Sequence, residues 1–460
     1  MYNLYITMVF IRKIKKKSGT YLAEVESYRK DGNVKQKVIK YLGKEINGKP
    51  VKRISSDSIK IKNVKRSLDV LAIDKISNEL GLKDISNEYV LALVYSQLLE
   101  KRSINKLADW LRFTEIPDVL DITDVSLKKL YESLSEIEED EFQELNLDMM
   151  KVFKKYEDFS KAAIIDVTDT YFEGASQKIK KRKGKEGKVR KLLQIGLGVT
   201  FDQGFPILQK QYHGNLSQIN ILKDMVLTLK DLDMDSIIVD RGMTTPENIG
   251  TLQKLKYTLI AGLKKSNNLK ENYLKKINRE EIYTLANRVK LKNTEVFIQS
   301  FKYLGGQLIA IYNPAYEVLK KQINFNKEKE SDSLIGYSLI YHNTKYPAKD
   351  IVKKYFDKDI VERAFKQMKG ILNLRPIRVW LKDHVEGHVR ICYLAYAILS
   401  LMNYKLRKLD ISAIEALDNL KQGYKVELFD TTNKHSWDLT VELEPKQRKI
   451  LKAIGVMYKN

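Results

Sequence analysis

Short apolar runs that stop on a carboxylate recur along this chain. In KAAIIDVTDTYFEG, Ala162 to Ile165 lead into Asp166; in DSIIVDRGMTTPENI, Ile237 to Val239 lead into Asp240, and Arg241-Gly242 then breaks the run. Continuous apolar runs of this length predict strands buried on both faces. Both acids thus stand where a sheet delivers side chains to a site, because ligands of open α/β sheets collect beyond the carboxyl ends of the strands. Between them, Leu192 to Thr200 and Phe205 to Tyr212 read as two strands joined by a turn at Asp202-Gln203-Gly204. Ile221, Leu222, Met225, Val226 and Leu229 then recur at helical spacing within Ile219 to Leu232. Asp169 competes with Asp166, but alternation along a strand turns it to the opposite face.

A second pattern lies in YFDKDIVERAFKQMKG. At about 100° per residue, Tyr355, Lys358, Glu362, Lys366 and Lys369 fall within a sector roughly 80° wide on one helix. Ile360, Ala364, Met368, Ile371 and Leu372 lie on the other side, with Phe365 at the edge. One face packs and the other meets solvent. The polar face has two readings: a solvated stripe with Lys358–Glu362 and Glu362–Lys366 pairs, or an acid flanked by cations that holds a divalent metal against a phosphate.

Charge bears on that choice. The formal net charge is +23 and the pI about 9.5, a balance that suits phosphate neutralisation on a nucleic acid. The rival is a basic membrane-binding protein. No apolar run in the sequence approaches the roughly 20 residues that span a bilayer, and Met1 to Phe10 lacks the features of a signal peptide. A single cysteine, Cys392, excludes an internal disulfide framework, and its apolar surroundings, Val389 to Met402, predict a buried inert thiol. The expected compartment is the cytoplasm, in association with the nucleoid. The densest charge run, Lys178 to Lys191, holds nine basic residues and two glycines, and is too polar to be core. It reads either as a mobile solvated loop or, since it should hang from the strand of Asp166 near the active site, as a loop that tracks the duplex, with Lys181, Arg182 and Lys183 as candidate DNA contacts.

The order of strand with Asp, two strands, helix, strand with Asp, long interval and helix with Glu resembles the ribonuclease-H-like core of the DDE transposases. The chain is similar to the branch of bacterial and archaeal insertion-sequence enzymes with a Tyr-x2-Arg-x3-Glu-x6-Lys signature and a β-rich insertion before the catalytic Glu. Tyr355, Glu362 and Lys369 match at the required spacings, beside Asp166 in IIDVT and Asp240 in IIVDRGM. LNLRPIRV around Arg375, GHVRICYLAYAIL near His388 and the N-terminal SGTYLAEVESYRKDGNVKQKVIKYLG are further points of likeness. The signature's Arg is Lys358 here, which keeps the charge but not the planar bidentate contact with phosphate.

The resemblance implies an α/β fold laid out in consecutive pieces. Residues 1–60 would form a small β unit, in which Asp31-Gly32 signals a hairpin and the many Lys and Arg serve either DNA-end binding or a solvated surface. Residues 61–158 would be helical, and KRSINKLADWLRFTEIP fits a helix-turn-helix or ordinary helix packing equally. A catalytic core at 159–255 and 346–405 would be interrupted by a β-rich insertion at 256–345, where EVFIQSFKYLGGQLIAIYN alternates apolar and polar residues. Residues 406–460 would pack on the core or form a dimer contact.

It also implies the chemistry. Asp166, Asp240 and Glu362 would be the catalytic, metal-binding acids, holding Mg²⁺ or Mn²⁺, two ions in all. Tyr355, Lys358 and Lys369 would hold DNA phosphates. The partners implied are double-stranded DNA, as terminal inverted repeats and as target, and a second copy in a synaptic homodimer, with no membrane. If a base is flipped from the DNA, Phe297, Phe301, Tyr303 or Tyr312 would stack on it, since Trp110, Trp380 and Trp437 fall outside the insertion. His384 and His388, four apart, lack a third ligand nearby and read as packing or polar caps. Two other functions use the same features: a stand-alone nuclease of this fold, which would not join DNA, and a non-catalytic DNA-binding descendant of a transposase.

Overall fold

The computed structural model describes residues 8–457 except 18, 31–32, 47, 52–57, 86, 157–160, 173–180, 184–188, 214–215, 233, 325–333, 376, 380 and 432–433. The chain divides into two compact units, Met1–Lys65 with Tyr424–Val441, and Arg66–Gly423 with Glu442–Asn460.

In the first unit, β1 (Met8–Lys16), β2 (Gly19–Lys30), β3 (Asn33–Ile46) and β4 (Lys49–Val51) form an antiparallel sheet in sequence order. Lys30 pairs with Asn33 across the expected hairpin, whose Asp31-Gly32 lies outside the described residues. Ala23 and Val25 are buried, whereas Ile11, Val34 and Tyr41 stay exposed. β5 (Ile59–Arg66) makes a second, three-stranded sheet with β16 (Tyr424–Asp430) and β17 (His435–Thr440).

The second unit opens with helices α1 (Leu68–Glu79), α2 (Glu88–Leu99), α3 (Leu107–Leu111), α4 (Ile116–Val119), α5 (Leu127–Glu132) and α6 (Glu139–Phe153). α3 has only five residues; within KRSINKLADWLRFTEIP its Leu107, Trp110 and Leu111 pack into the core, while Lys101, Arg102, Asp109, Arg112 and Phe113 are exposed. Asp69 is fully buried against Arg66, which also reaches Glu100 at 3.6 Å. Burial raises the Asp69 pKa, and the Arg66 charge opposes that rise without cancelling it.

One large sheet follows, from β6 (Ala162–Phe172), β7 (Lys181–Lys183), β8 (Val189–Thr200), β9 (Pro206–His213), β10 (Ser236–Val239), β11 (Thr258–Leu263), β12 (Arg288–Lys290), β13 (Glu295–Tyr303), β14 (Gly306–Tyr312) and β15 (Tyr337–His342). Its order is β12-β13-β14-β15-β11-β10-β6-β8-β7, with β9 also paired to β8. β10 runs parallel to both β6 and β11, and the other pairings are antiparallel. The strands between Arg288 and His342 therefore extend the same sheet that carries the two aspartates. The turn between β8 and β9 places Gly204 at φ +72°, the left-handed conformation that glycine adopts without a Cβ clash.

Each face of the sheet has its own core. Ile164, Ile238 and Ile260 belong to one, with the helical region; Ala163, Ile165, Ile237, Val239 and Leu259 belong to the other. The second core takes in buried residues of α7 (Gln218–Asp231) and α8 (Pro246–Lys254). The short α9 (Asn267–Asn272) and α10 (Arg279–Ile282), and α11 (Pro314–Asn324), decorate the outer strands. The first core is filled by α12 (Ala348–Phe356), α13 (Asp359–Lys366), α14 (Lys382–Leu406), α15 (Ala413–Leu420) and α16 (Pro445–Ile454).

α14 corrects one expectation. The helical segment Lys382–Leu409 is long and apolar enough to cross a membrane by length and composition, although no such run was evident in the sequence. Its most apolar window is 83% buried inside the protein, so its apolarity serves the core. His384 stacks on Tyr131 and His388 faces Cys392 at 3.8 Å. Burial pushes His388 down to about 4 and raises the Cys392 thiol, which keeps both neutral and inert.

Gly387 of α14 faces the backbone of Leu134 so closely that a Cβ would overlap its carbonyl oxygen. A backbone atom cannot rotate away. Gly387→Ala should cost about 1–3 kcal/mol or more by overpacking, read as a fall in thermal midpoint against wild type; an unchanged midpoint would show that α14 and Leu134 are not in contact.

Candidate active site

Sheet register brings the two aspartates together. Val239 of β10 lies opposite Ile165 of β6 in parallel pairing, so Asp240 and Asp166 are the next positions on neighbouring strands. Alternation assigns both to the face of Ile164 and Ile238, the face on which α13 packs. Asp166 is half-buried and accepts a hydrogen bond from the Val167 backbone N–H at 2.7 Å.

The polar stripe reaches that face in a form that differs from the expected single helix. α12 ends at Phe356, the chain turns through Asp357 and Lys358, α13 runs from Asp359 to Lys366, and Gln367–Ile371 form a π turn. Ala364, Met368 and Leu372 are buried, as the pattern required, with Phe365 at its edge; Val361, outside the pattern, is buried too, and Ile360 and Ile371 are half-buried. The break brings Tyr355 and Lys358 together at one carboxylate. The Tyr355 hydroxyl donates to Asp240 Oδ1 at 3.0 Å, and Lys358 Nζ lies 3.3 Å from the same oxygen and 3.9 Å from Glu362 Oε1. Lys358 also sits 5.2 Å from the centre of the Tyr355 ring. Its side chain is 17% exposed, whereas that of Glu362 is 66% exposed. One ammonium thus stands between two of the three acids.

This arrangement fixes ionisation. Burial would raise the Asp240 pKa, but the Lys358 charge, the Arg241 backbone N–H and the Tyr355 hydroxyl together outweigh it and hold Asp240 below the ordinary aspartate value. Tyr355 moves the opposite way, raised first by burial and then by the Asp240 charge, so it remains a protonated donor.

Gly262 permits the contact. It follows Ala261 on β11, and a Cβ there would overlap the Tyr355 hydroxyl and come within 3.0 Å of the Arg241 backbone nitrogen. A cavity of about 600 Å³ opens at this point, lined by Asp240, Tyr355, Lys358 and Glu362 together with Arg241, Gly262, Lys264, Lys265 and Phe356. These last five were not singled out in the sequence. The signal was present for two of them, since Lys264-Lys265 closes the apolar strand TLIAGL much as the aspartates close theirs.

The remaining candidates are placed as follows. Asp166 adjoins Asp240 in register but is not among the residues lining this cavity. Lys369, on the π turn, donates to the Thr168 hydroxyl, two residues beyond Asp166 on the same face of β6. Lys181, Arg182 and Lys183 form β7 and pair with β8 at Val189 to Lys191. Lys191 lies opposite Phe172, six residues along β6 from Asp166, roughly 20 Å at the rise of a strand. The four aromatics considered for stacking are also absent from the cavity lining. Phe297 and Tyr312 are buried, and Phe301 and Tyr303 pack on Tyr273. Phe356, which does line the cavity, is 43% exposed.

Among the described residues, no three His, Cys, Asp or Glu side chains converge as a metal-binding group. The donor chemistry nevertheless fits a hard divalent cation. Asp240 and Glu362 offer carboxylate oxygens around one positive charge, the Lys358 ammonium, and Asp166 issues from the adjoining strand.

Residues 157–398 match the family described as the transposase DDE domain. That match spans more than half of the chain, and the protein belongs to the DDE transposases, a family that catalyses DNA cleavage and strand transfer. Residues 11–56 match the N-terminal domain of IS1634 family transposases, and the two matches together mark an insertion-sequence transposase. No curated protein matches the sequence. Among solved structures, the chain is similar to a piggyBac transposase in a cryo-EM synaptic complex with hairpin DNA, at 10% identity and a TM-score of 0.44, covering 77% of this chain and 76% of that one.

Two substitutions should act on Asp240 alike. Tyr355→Phe removes the hydroxyl and Gly262→Ala displaces it, so each should raise the Asp240 pKa, and Lys358→Met should raise it further. The lowered pKa keeps the group ionised to lower pH than an ordinary aspartate, and these changes move its titration midpoint upward. Carbon-13 NMR of labelled aspartate carboxyls reads the midpoint; a midpoint indifferent to all three changes would contradict the geometry.

Proposed function

We propose that Asp166, Asp240 and Glu362 are the three acids of this transposase and that they stand in a ribonuclease-H-like core. The observation that carries the reading is the meeting of Asp240 with Tyr355, Lys358 and Glu362 beyond the end of a strand that runs parallel to the one bearing Asp166. The strand order β9-β8-β6-β10-β11 supports the fold assignment, with both acid-bearing strands at its centre.

In this reading Asp166, Asp240 and Glu362 would hold Mg²⁺ or Mn²⁺, two ions in all. Bound there, the ions supply charge neutralisation at the attacking and leaving oxygens of an in-line displacement. The protein's own groups do the rest. Tyr355 donates to Asp240 and keeps that carboxylate oriented. Lys358, which lies beside Asp240 and Glu362, would hold a DNA phosphate, and Lys369 a second phosphate beside β6. Water attacks phosphorus at an element end and displaces the 3′-oxygen, leaving a 5′-phosphate and a free 3′-hydroxyl. That hydroxyl then gives up its proton and attacks the phosphorus of a second phosphodiester, displacing that bond's 3′-oxygen as a new 3′-hydroxyl, so no covalent link to the protein forms.

The substrates are the terminal inverted repeats and a target duplex, encountered in the cytoplasm at the nucleoid. Two ends must be cut together, for which a homodimer is the economical solution, with residues 406–460 as a candidate contact. The basic β unit at 1–60 serves DNA-end binding, and residues 61–158 form the helical region. Between the core parts expected at 159–255 and 346–405, residues 256–345 hold β11, which completes the core order, followed by the β-rich insertion proper, β12 to β15. Lys181, Arg182 and Lys183 contact DNA away from the scissile phosphate.

The decisive experiment is metal-dependent cleavage and joining of DNA carrying the gene's own flanks. Glu362→Gln should lose several kcal/mol of charge stabilisation, roughly a thousandfold or more in rate, while DNA binding persists. Full cleavage by that variant would remove Glu362 from the site, and cleavage without any joining in the wild type would make the protein a nuclease. Lys369→Ala should weaken DNA binding and reduce its salt slope by about 1, as measured by fluorescence anisotropy.

A further inference from the structure

A second basic cavity lies away from the acids, between the helical region and the segment that follows the π turn. Its volume is about 430 Å³, and Lys101, Arg102, Arg375 and Arg378 line it with no carboxylate among the lining residues. Ser103, Asn105 and Asn373 add neutral donors. Glu100 pairs with Arg102 at 2.7 Å but shares its charge with Arg66 at 3.6 Å, so the cavity keeps a positive surplus. Two of its residues are held in an uncommon backbone conformation, Lys101 at φ +51° and Asn373 at φ +45°. Residues kept at such angles cluster at ligand clamps.

The walls are tied to the catalytic elements. The Ile377 backbone N–H donates to the Tyr171 carbonyl of β6 at 3.2 Å, and Arg375 lies 6.0 Å from the Tyr171 ring centre. On the other side, the Gln97 amide of α2 donates to the Leu372 carbonyl, where the π turn ends. The cavity is thus braced between the strand of Asp166 and the helix of Glu362.

We propose that this cavity binds backbone phosphates of duplex DNA, at a second anchoring site outside the three-acid centre. Cationic side chains supplemented by hydroxyl and amide donors are the usual phosphate-contacting set. A divalent cation is disfavoured by the absence of acids, and a free nucleotide by the lack of an open stacking surface. Of the two aromatic rings of the lining, Tyr131 already stacks on His384 and donates its hydroxyl to Asn105, and His388 is half-buried against Cys392. The proposal rests on the DNA-acting function given above.

The test compares wild type with Lys101→Ala/Arg378→Ala and with Lys101→Glu/Arg378→Glu. Both residues are exposed, and equal thermal midpoints would confirm folding. Binding of a duplex is followed by fluorescence anisotropy over a range of salt, without divalent metal, so that chemistry is silent. The alanine pair should lower the slope of log affinity against log salt by about 2 and weaken binding, the glutamate pair should weaken it further, and Lys449→Ala/Lys452→Ala on α16 should leave the slope unchanged. Equal slopes for wild type and the cavity variants, or an equal loss in the α16 control, would overturn the proposal. So would saturable binding of inorganic phosphate or ATP that the alanine pair abolishes while its DNA slope stays unchanged, which would assign the cavity to a small anion. A wild type that binds no DNA would instead remove the DNA-acting reading itself.

Discussion

The register between β6 and β10 is the constraint on which the rest of the structure depends. With Val239 opposite Ile165, two carboxylates emerge side by side on one face. A slip by a single residue would turn one of them into the opposite core. The apolar faces prevent it, because Ile237 and Val239 are buried with Ala163 and Ile165 while Ile238 is buried with Ile164 on the other side. Packing on both sides of the sheet thus fixes the position of charge, and adjacent negative charges then require a cation nearby. Lys358 answers that requirement at Asp240, and the Gly262 surface leaves room for the Tyr355 hydroxyl to help.

Much of this was legible in the sequence because it is local. The apolar run into Asp166, the strand end at Asp240, the β8–β9 turn and the helix now seen as Gln218–Asp231 follow from apolar periodicity and turn residues alone, whereas β6 continues past Asp166 to Phe172, held there by its pairing with β8. The buried side of the Glu362 segment was readable for the same reason. Its interruption was not, since nothing in YFDKDI departs from helical composition; the break at Asp357-Lys358 is imposed by what Tyr355 and Lys358 reach across the site. Gly262 is invisible without knowing which side chain passes over it. The folding of Tyr424–Val441 with the N-terminal residues lies beyond local reading too, because the pairing spans most of the chain.

α14 shows how composition misleads in both directions. Polar residues near its start interrupt the apolar run, yet most of the helix is buried in its core, Cys392 among the buried residues. The requirement at Gly387 is equally silent in sequence, since glycine within a helix normally costs stability. Here it buys close approach to the Leu134 backbone.

The π turn at Gln367–Ile371 makes the site sensitive to chain length. Such a turn accommodates one residue more than an α-helix over the same span, and is frequent at functional sites. Glu362 lies before it and Lys369 within it, so the two side chains are geared separately although they share one continuous segment. Deleting one residue between them would swing the lysine by about 100° and leave the acid in place. Length variation at this point would therefore shift Lys369 relative to Thr168 and β6 without moving Glu362.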